Sequence, residues 1–270
     1  MAKTKELKIA IETAKKAGDF LQINHGQRQT FTRKVTSSKL SSDTRKGFQT
    51  KQDIEAEKII LMNLKKEFSD HGFLTEESQS KDTDRKYVWV IDPLEGTIAY
   101  MHGLENYGTA IALLYKKEIV LGVVYCPALS YLFWAEKGMG AFLNENRIKV
   151  SDTEKIEDSL ISVEHKIFRL AENYPKVTSD LVKKIRRLRV GESCGQELSY
   201  VASGKSDALI KARQPIYDYA AGKIILEEAG GKFTDFEGNE VKISLDPEVG
   251  IGFVASNGKI HQELLKYFKK

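Results

Sequence analysis

Three short acidic clusters contain the side chains that could hold a hard cation beside a phosphate. They are Thr75-Glu76-Glu77-Ser78, Asp92-Pro93-Leu94-Glu95-Gly96-Thr97, and Asp218 within Pro215-Ile-Tyr-Asp-Tyr-Ala-Ala-Gly222. In the middle cluster an apolar strand delivers Asp92, and Pro93, which has no N–H, ends the ladder there. Asp92 and Glu95 then lie three apart around a tight turn, so both carboxylates can converge on one cation. Magnesium prefers oxygen ligands, and the Leu94 carbonyl offers another. Gly96 and Thr97 open the next helix, whose free N–H groups suit a phosphate. A cation beside a phosphate is what phosphoester hydrolysis requires. Taken singly, each cluster is equally a turn, a surface loop or a helix N-cap.

The elements that must position these residues follow from periodicity. Leu7, Ala10, Ile11, Ala14, Ala17 and Leu21 recur at three- and four-residue steps and predict a first helix with one apolar stripe. Residues 26–50 are polar and aperiodic, and read as an exposed loop with room for a short hairpin. A second helix is predicted over 52–68, with Ile60, Leu61, Leu64 and Phe68 inward. Tyr87–Ile91 reads as a buried strand. Strands at 109–115 and 119–125 are joined by Lys116-Lys117-Glu118, and further strands are predicted at 131–135, 141–143 and 148–150. The second half alternates: strands at 160–163, 187–190, 208–211 and 253–255, helices at 174–185, 196–203, 217–228 and 259–269. Helices followed by an antiparallel sheet and then alternating elements predict an α+β or layered α/β/α/β class. The division expected is an N-terminal lobe, 1–150, and a C-terminal α/β lobe, 151–270, in one compact unit.

Composition narrows the function. Of 270 residues, 42 are basic and 38 acidic, a net charge of +4 that argues against a nucleic-acid partner. The basic run at Lys183, Lys184, Arg186, Arg187 and Arg189 reads as a solvated face. Cys126 and Cys194 lie far apart, which fits a reducing compartment without disulfides. No apolar stretch is long enough to span a membrane, so a soluble, cytoplasmic protein is expected.

In combination the clusters resemble the inositol monophosphatase superfamily, which includes fructose-1,6-bisphosphatases and 3'(2'),5'-bisphosphate nucleotidases. Its central signature reads here as Val88-Trp-Val-Ile-Asp-Pro-Leu-Glu-Gly-Thr-Ile-Ala-Tyr100, with Thr50-Lys-Gln-Asp53 and Thr75-Glu76-Glu77 upstream. Tyr217-Asp-Tyr-Ala-Ala-Gly222, Glu228-Ala-Gly-Gly231, Lys137-Gly-Met-Gly-Ala-Phe142 and Ala255-Ser-Asn257 extend the resemblance along the chain. It implies a five-layered α/β/α/β/α sugar-phosphatase fold, often dimeric, and a magnesium-dependent phosphomonoesterase with two or three ions per site. Glu76, Asp92 and the Leu94 carbonyl would hold the activating ion. Asp92, Glu95 and Asp218 would hold a second, and Asp53 with Glu76 a weaker third. Glu76 and Thr97 would orient the attacking water, and Gly96 and Thr97 would hold phosphate oxygens.

The chain departs from that pattern in places. Glu95 stands where the family has Asp, which pushes the carboxylate out by about 1.5 Å, one C–C bond. Lys211 stands where inositol phosphatases carry Glu. With Arg213 on the same strand face, it would favour a substrate with a second phosphate. Ser193, in the Ser193-Cys194-Gly195 stretch, could donate a hydrogen bond to substrate. Thr75 replaces a glycine and Tyr217 a tryptophan. The substrate expected is inositol monophosphate or a related polyol or sugar phosphate; the alternatives are a sugar bisphosphate or 3'(2'),5'-bisphosphate nucleotide, or a catalytically impaired homologue acting as a binding protein.

Overall fold

The computed structural model describes residues 3–27, 30–33, 47–78, 80–164, 167 and 174–268. The first layer is a helix pair, α1 (Lys5–Ile23) and α2 (Lys51–Glu67). The predicted stripe of α1 is buried at Leu7, Ala10, Ala14, Ala17 and Leu21. The Thr4 hydroxyl caps its start by accepting from the Leu7 N–H at 3.2 Å. Ahead of α2 a two-stranded ribbon pairs β1 (Phe31–Arg33) with β2 (Phe48–Thr50). This is the short hairpin pairing expected within 26–50; residues 28–29 and 34–46 of that stretch lie outside the described residues.

The second layer is a seven-stranded sheet in sequential order. It comprises β3 (Gly72–Thr75), β4 (Tyr87–Glu95), β5 (Gly108–Tyr115), β6 (Glu118–Cys126), β7 (Tyr131–Glu136), β8 (Gly140–Leu143) and β9 (Asn146–Ile148). Side chains alternate between its faces. Trp89, Ile91, Ile111, Leu113 and Val123 pack on α1 and α2. Val88, Val90, Ala110, Ala112 and Val124 face the middle of the molecule. A short helix, α3 (Thr97–Met101), follows β4.

The middle layer is α5 (Cys194–Ala202) against α6 (Ile216–Glu228). Beneath it lies a five-stranded sheet of β10 (Leu160–Val163), β11 (Arg187–Arg189), β12 (Ala208–Gln214), β13 (Lys232–Thr234) and β14 (Ile251–Ser256), in the order β11-β10-β12-β14-β13. Its outer face carries Ile161, Val163, Ile210 and Val254, which share a core with Leu181 of α4 (Tyr174–Val182) and Leu264 of α7 (His261–Leu265). The result is the expected α/β/α/β/α layering. One central core joins Val88 and Phe133 to Leu198, Tyr219 and Phe253, so residues of both predicted lobes share it.

Several boundaries differ from the sequence reading. β3 and β13 were not predicted. The last strand of the large sheet is Asn146–Ile148 rather than 148–150, and α4 and α7 are shorter than 174–185 and 259–269. β4 does not stop at Asp92 but runs to Glu95. Its register with β5 shifts between Asp92 and Glu95, because Pro93 cannot donate to the ladder and the strand bulges around it.

Candidate active site

The bulged end of β4 is where carboxylates gather. β3 runs parallel to β4 with Thr75 opposite Ile91, so the next step along each strand brings Glu76 beside Asp92. Asp218, in the first turn of α6, approaches from the middle layer. Asp92 is buried, and its Oδ1 has no hydrogen-bond partner among the described residues. Burial, then the charges of Glu76, Glu95 and Asp218, push its carboxyl well above the usual carboxylate range. Tyr217 is pushed up as well, by burial and then Glu76, Asp218 and Asp92. An orphaned carboxylate oxygen among like charges is compensated by a cation, and the hard oxygen donors suit magnesium. Among the described residues no three carboxylate, imidazole or thiol side chains close into a ready cage. Magnesium does not require one, since it keeps several waters and shares its sphere with substrate oxygens.

After the bulge the chain turns sharply. Gly96 has φ +82°, and a Cβ there would lie 2.4 Å from the Asn106 carbonyl oxygen, so only glycine fits. The turn places the Thr97 hydroxyl 3.1 Å from both Asp53 Oδ1 and the Leu94 carbonyl oxygen. Its single proton serves these acceptors, which leaves the oxygen's lone pairs for another donor. Asp53 is fully buried and also completes the capping box of α2: its Oδ2 accepts from the Thr50 N–H at 2.7 Å. Asp53 therefore reaches the site through Thr97 and does not line its cavity.

That cavity has a volume of about 170 Å³. Glu76, Asp92, Leu94, Gly96, Thr97 and Asp218 form one wall, and Glu164, Gly191, Cys194, Lys211 and Gln214 the other; Glu95 lies between them. A larger cleft of about 580 Å³, edged by Lys117, Lys137, Lys223, Glu227 and Glu240, mixes both charge signs and lies away from the carboxylate cluster.

Glu95 is buried, and both of its oxygens face protein donors. Oε2 accepts from the Ser193 hydroxyl at 2.8 Å, and Oε1 from the Gly195 N–H at 2.5 Å. Burial raises its carboxyl to about 7 against the lowering effect of those donors and of Lys211. The Ser193 hydroxyl, expected to face substrate, is thus spent on Glu95. Lys211 is 2% exposed, lines the cavity, and makes no hydrogen bond or ion pair with any described residue. Burial works against its charge, but Cys194, Glu164, Glu197 and Glu95 around it raise its pKa.

The expectation that Arg213 shares the pocket face with Lys211 is corrected. The register of β12 against β14 shifts between Lys211 and Gln214, so side-chain alternation is broken there. Arg213 instead packs beside Gly250 and donates from Nη2 to the Glu248 carbonyl at 3.1 Å. Gln214 takes the pocket side, donating from Nε2 to Glu164 Oε1 at 2.7 Å. Glu164 was missed, although it had a signal: it follows the apolar run Leu160–Val163 as Asp92 follows Tyr87–Ile91. In the basic run, Arg189 bridges buried Glu197 at 3.0 Å, while Lys183, Lys184, Arg186 and Arg187 are exposed.

Comparison with known proteins is consistent along the whole chain. The profile of the inositol monophosphatase family matches residues 2–270. A fructose-1,6-bisphosphatase/inositol-1-monophosphatase of Thermotoga maritima is 34% identical over 260 residues, covering 96% of this chain and 94% of the relative. An inositol-1-monophosphatase of Mesorhizobium japonicum is 31% identical over 273 residues, covering 100% and 98%. Among solved structures, the extragenic suppressor protein suhB of Bartonella henselae superposes with a TM-score of 0.88 at 30% identity, over 99% of both chains.

Proposed function

The chain belongs to the inositol monophosphatase family, and from that premise we propose that it hydrolyses the phosphate monoester of a small polyol or sugar, inositol 1-phosphate foremost, with magnesium as its metal. The observation that carries this reading is the buried Asp92 carboxylate, set against Glu76 and Asp218 with an oxygen that no described residue satisfies. Glu76, Asp92, the Leu94 carbonyl and Asp218 hold the ion in this reading. When bound, magnesium supplies Lewis acidity toward phosphate oxygens and lowers the pKa of water near it.

The chain's own residues do the rest. Thr97, its hydroxyl proton directed at Asp53 and the Leu94 carbonyl, presents a lone pair to a water on the Glu76 side. In this reading Glu76 accepts a proton from that water as its oxygen bonds to phosphorus. The ester P–O bond breaks on the opposite side, and the alcohol leaves with a proton from solvent. Backbone N–H groups of the Gly96–Thr97 turn hold the phosphate oxygens. Buried Cys126 and Cys194 take no part, since burial raises both thiols.

The test is phosphate release from inositol 1-phosphate, fructose 1,6-bisphosphate and 3'-phosphoadenosine 5'-phosphate, with magnesium and with EDTA. Magnesium-dependent release that favours inositol 1-phosphate supports the proposal, and release unaffected by EDTA would sink its metal. A second reading has its own support: the Lys211 side chain, buried and without a hydrogen-bond or ion-pair partner among the described residues, suits a substrate with a second anionic group. Faster turnover of either bisphosphate would favour it. A homodimer is part of the proposal, to be checked by light scattering. Among the described residues no helix is long and apolar enough to cross a membrane.

A further inference from the structure

Glu95 occupies the position at which the family pattern implies a metal ligand, yet its surroundings are those of a helix cap. Ser193, the N-cap of α5, accepts from the Gln196 N–H through its hydroxyl oxygen at 3.3 Å and donates the hydroxyl proton to Glu95 Oε2. Gly195 donates its backbone N–H to Oε1. These donors lie 98 and 100 residues from Glu95 in sequence. They come from the middle layer and close on a strand end of the large sheet. A negative group at this end of a nine-residue helix is also favoured by the helix dipole.

An independent observation comes from the backbone. A Cβ at position 195 would lie 2.7 Å from Glu95 Oε2 and 3.2 Å from Val124 Cγ2. The glycine is what lets the carboxylate rest against the helix. The extra methylene of Glu over Asp, about 1.5 Å of reach, is therefore used toward α5 and not toward Asp92 and Asp218.

We infer that Glu95 is a positioning residue and not a metal ligand in this chain: it braces the N-terminus of α5 against the catalytic end of β4, and the divalent ion is left to Glu76, Asp92, Asp218 and the Leu94 carbonyl. The brace sets the distance between the two cavity walls, since Asp92 and Thr97 flank its strand end while Cys194 and Gly191 flank its helix end. The inference rests on the magnesium reading above only for the second half of that statement.

Three variants separate brace from ligand. Glu95→Gln keeps the shape and removes the charge: its amide oxygen still accepts from the Gly195 N–H, while its NH2 donates to the Ser193 hydroxyl oxygen, reversing that bond. Glu95→Asp keeps the charge and shortens the reach. Glu95→Ala removes both. Magnesium titration calorimetry without substrate should give Glu95→Gln an affinity within about threefold of the parent, well under the tenfold that 1.4 kcal/mol would produce. Thermal unfolding in EDTA should lower Tm for Glu95→Asp and Glu95→Ala by about 2–4 °C, the shift expected for loss of about 1 kcal/mol in a chain of this size, and leave Glu95→Gln near the parent. Glu95→Ala should raise KM more than it lowers kcat, with Glu95→Gln restoring KM.

A ligand role predicts the reverse. Glu95→Gln would lose at least tenfold in magnesium affinity or one binding equivalent, Glu95→Asp would tighten binding, and kcat would fall in both Gln and Ala variants. Either result overturns the inference. A further arm needs no metal: Ser193→Ala should lower Tm in EDTA in the parent and have little further effect in Glu95→Ala, because the two lose the same contact. Additive losses would also overturn the brace. If the parent binds no magnesium, the functional proposal fails, while this coupling still decides the brace.

Discussion

Two buried charges line one cavity, and opposite forces set them. Asp92 lies among Glu76, Glu95 and Asp218, and burial plus like charge drives its carboxyl upward. Lys211 lies near Glu164, Glu197 and Glu95, whose opposite charges outweigh burial and keep it cationic. The Asp92 wall is electrostatically incomplete without a cation. The Lys211 wall is already compensated at a distance, and its ammonium has no described contact partner. The first wall therefore calls for a metal and the second for an anionic or strongly polar substrate group. The order matters, because metal at the first wall adds positive charge that makes an anion at the second still more favourable.

The largest expected effect breaks the first wall. Asp92→Asn should lower kcat/KM at least about 10³-fold, the scale of removing a principal electrostatic group from an active site. It should also abolish the magnesium-induced rise in Tm, while in EDTA the variant should be no less stable than the parent, since a like-charge repulsion has been removed. The parent has a signature of its own. An acid whose folded pKa is raised binds more protons in the native state, so its contribution to stability is present at low pH. It fades as pH climbs above the unfolded value near 4 toward the raised one. Saturating magnesium should erase that slope. Thermal unfolding with and without magnesium across pH checks both statements.

Thr97→Val comes next. It keeps the shape and removes the hydroxyl that bonds Asp53 and the Leu94 carbonyl and that, in the proposed mechanism, meets the reacting water. A loss of about 10²-fold in kcat with little change in KM is expected, the usual scale for a group that handles a proton in the transition state. A rise in KM with kcat preserved would assign Thr97 to ground-state binding. Lys211→Met sharpens the comparison from the other wall. The ratio of kcat/KM for fructose 1,6-bisphosphate over inositol 1-phosphate should fall about tenfold, roughly the 1.5–3 kcal/mol of a charged hydrogen bond at its low end. An unchanged ratio would mean that Lys211 senses no second anion and serves only to balance Glu164 and Glu197.

The two walls also differ in how far they could be read from sequence. The carboxylate wall was largely legible, because Asp92 follows and Asp218 opens an element whose periodicity is plain, and Thr75-Glu76-Glu77 resembles the family's upstream acidic motif. What was not legible is why Glu76 meets Asp92. That depends on β3, a four-residue strand whose parallel register no local pattern announces. The Lys211 wall was read less well. Placing Arg213 beside Lys211 assumed regular alternation, and a backbone shift between Lys211 and Gln214 removed it. Likewise the destination of the Glu95 carboxylate is decided by Gly195, 100 residues on. Alternation and spacing are local properties, whereas bulges and contacts between layers are not.

The smallest expected effect comes from a buried titratable group outside both walls. His261 is fully buried between Thr234 and Ser256. The Thr234 hydroxyl donates to the Asp235 carbonyl at 2.8 Å, so His261 Nε2 must donate to Thr234 Oγ1, and Nδ1 accepts from Ser256. Ser256 Oγ in turn accepts from the Gly258 N–H at 3.0 Å. A second ring proton would point at the Ser256 hydroxyl proton, and burial, then Lys232, lower the imidazole pKa to about 4. A base whose folded pKa is depressed binds more protons when unfolded, so its contribution to stability is full above about 6.5 and is lost as pH falls toward about 4. That sign is opposite to the Asp92 contribution in the metal-free protein. His261→Gln, which stays neutral at all pH values, should flatten the acid side of the Tm–pH curve between about 6.5 and 4 by a few degrees. It should leave the magnesium-sensitive slope untouched. If the substitution changed the magnesium-sensitive slope instead, the two buried systems would be coupled through β14, and the cavity walls could not be treated as electrostatically separate from the outer face of the small sheet.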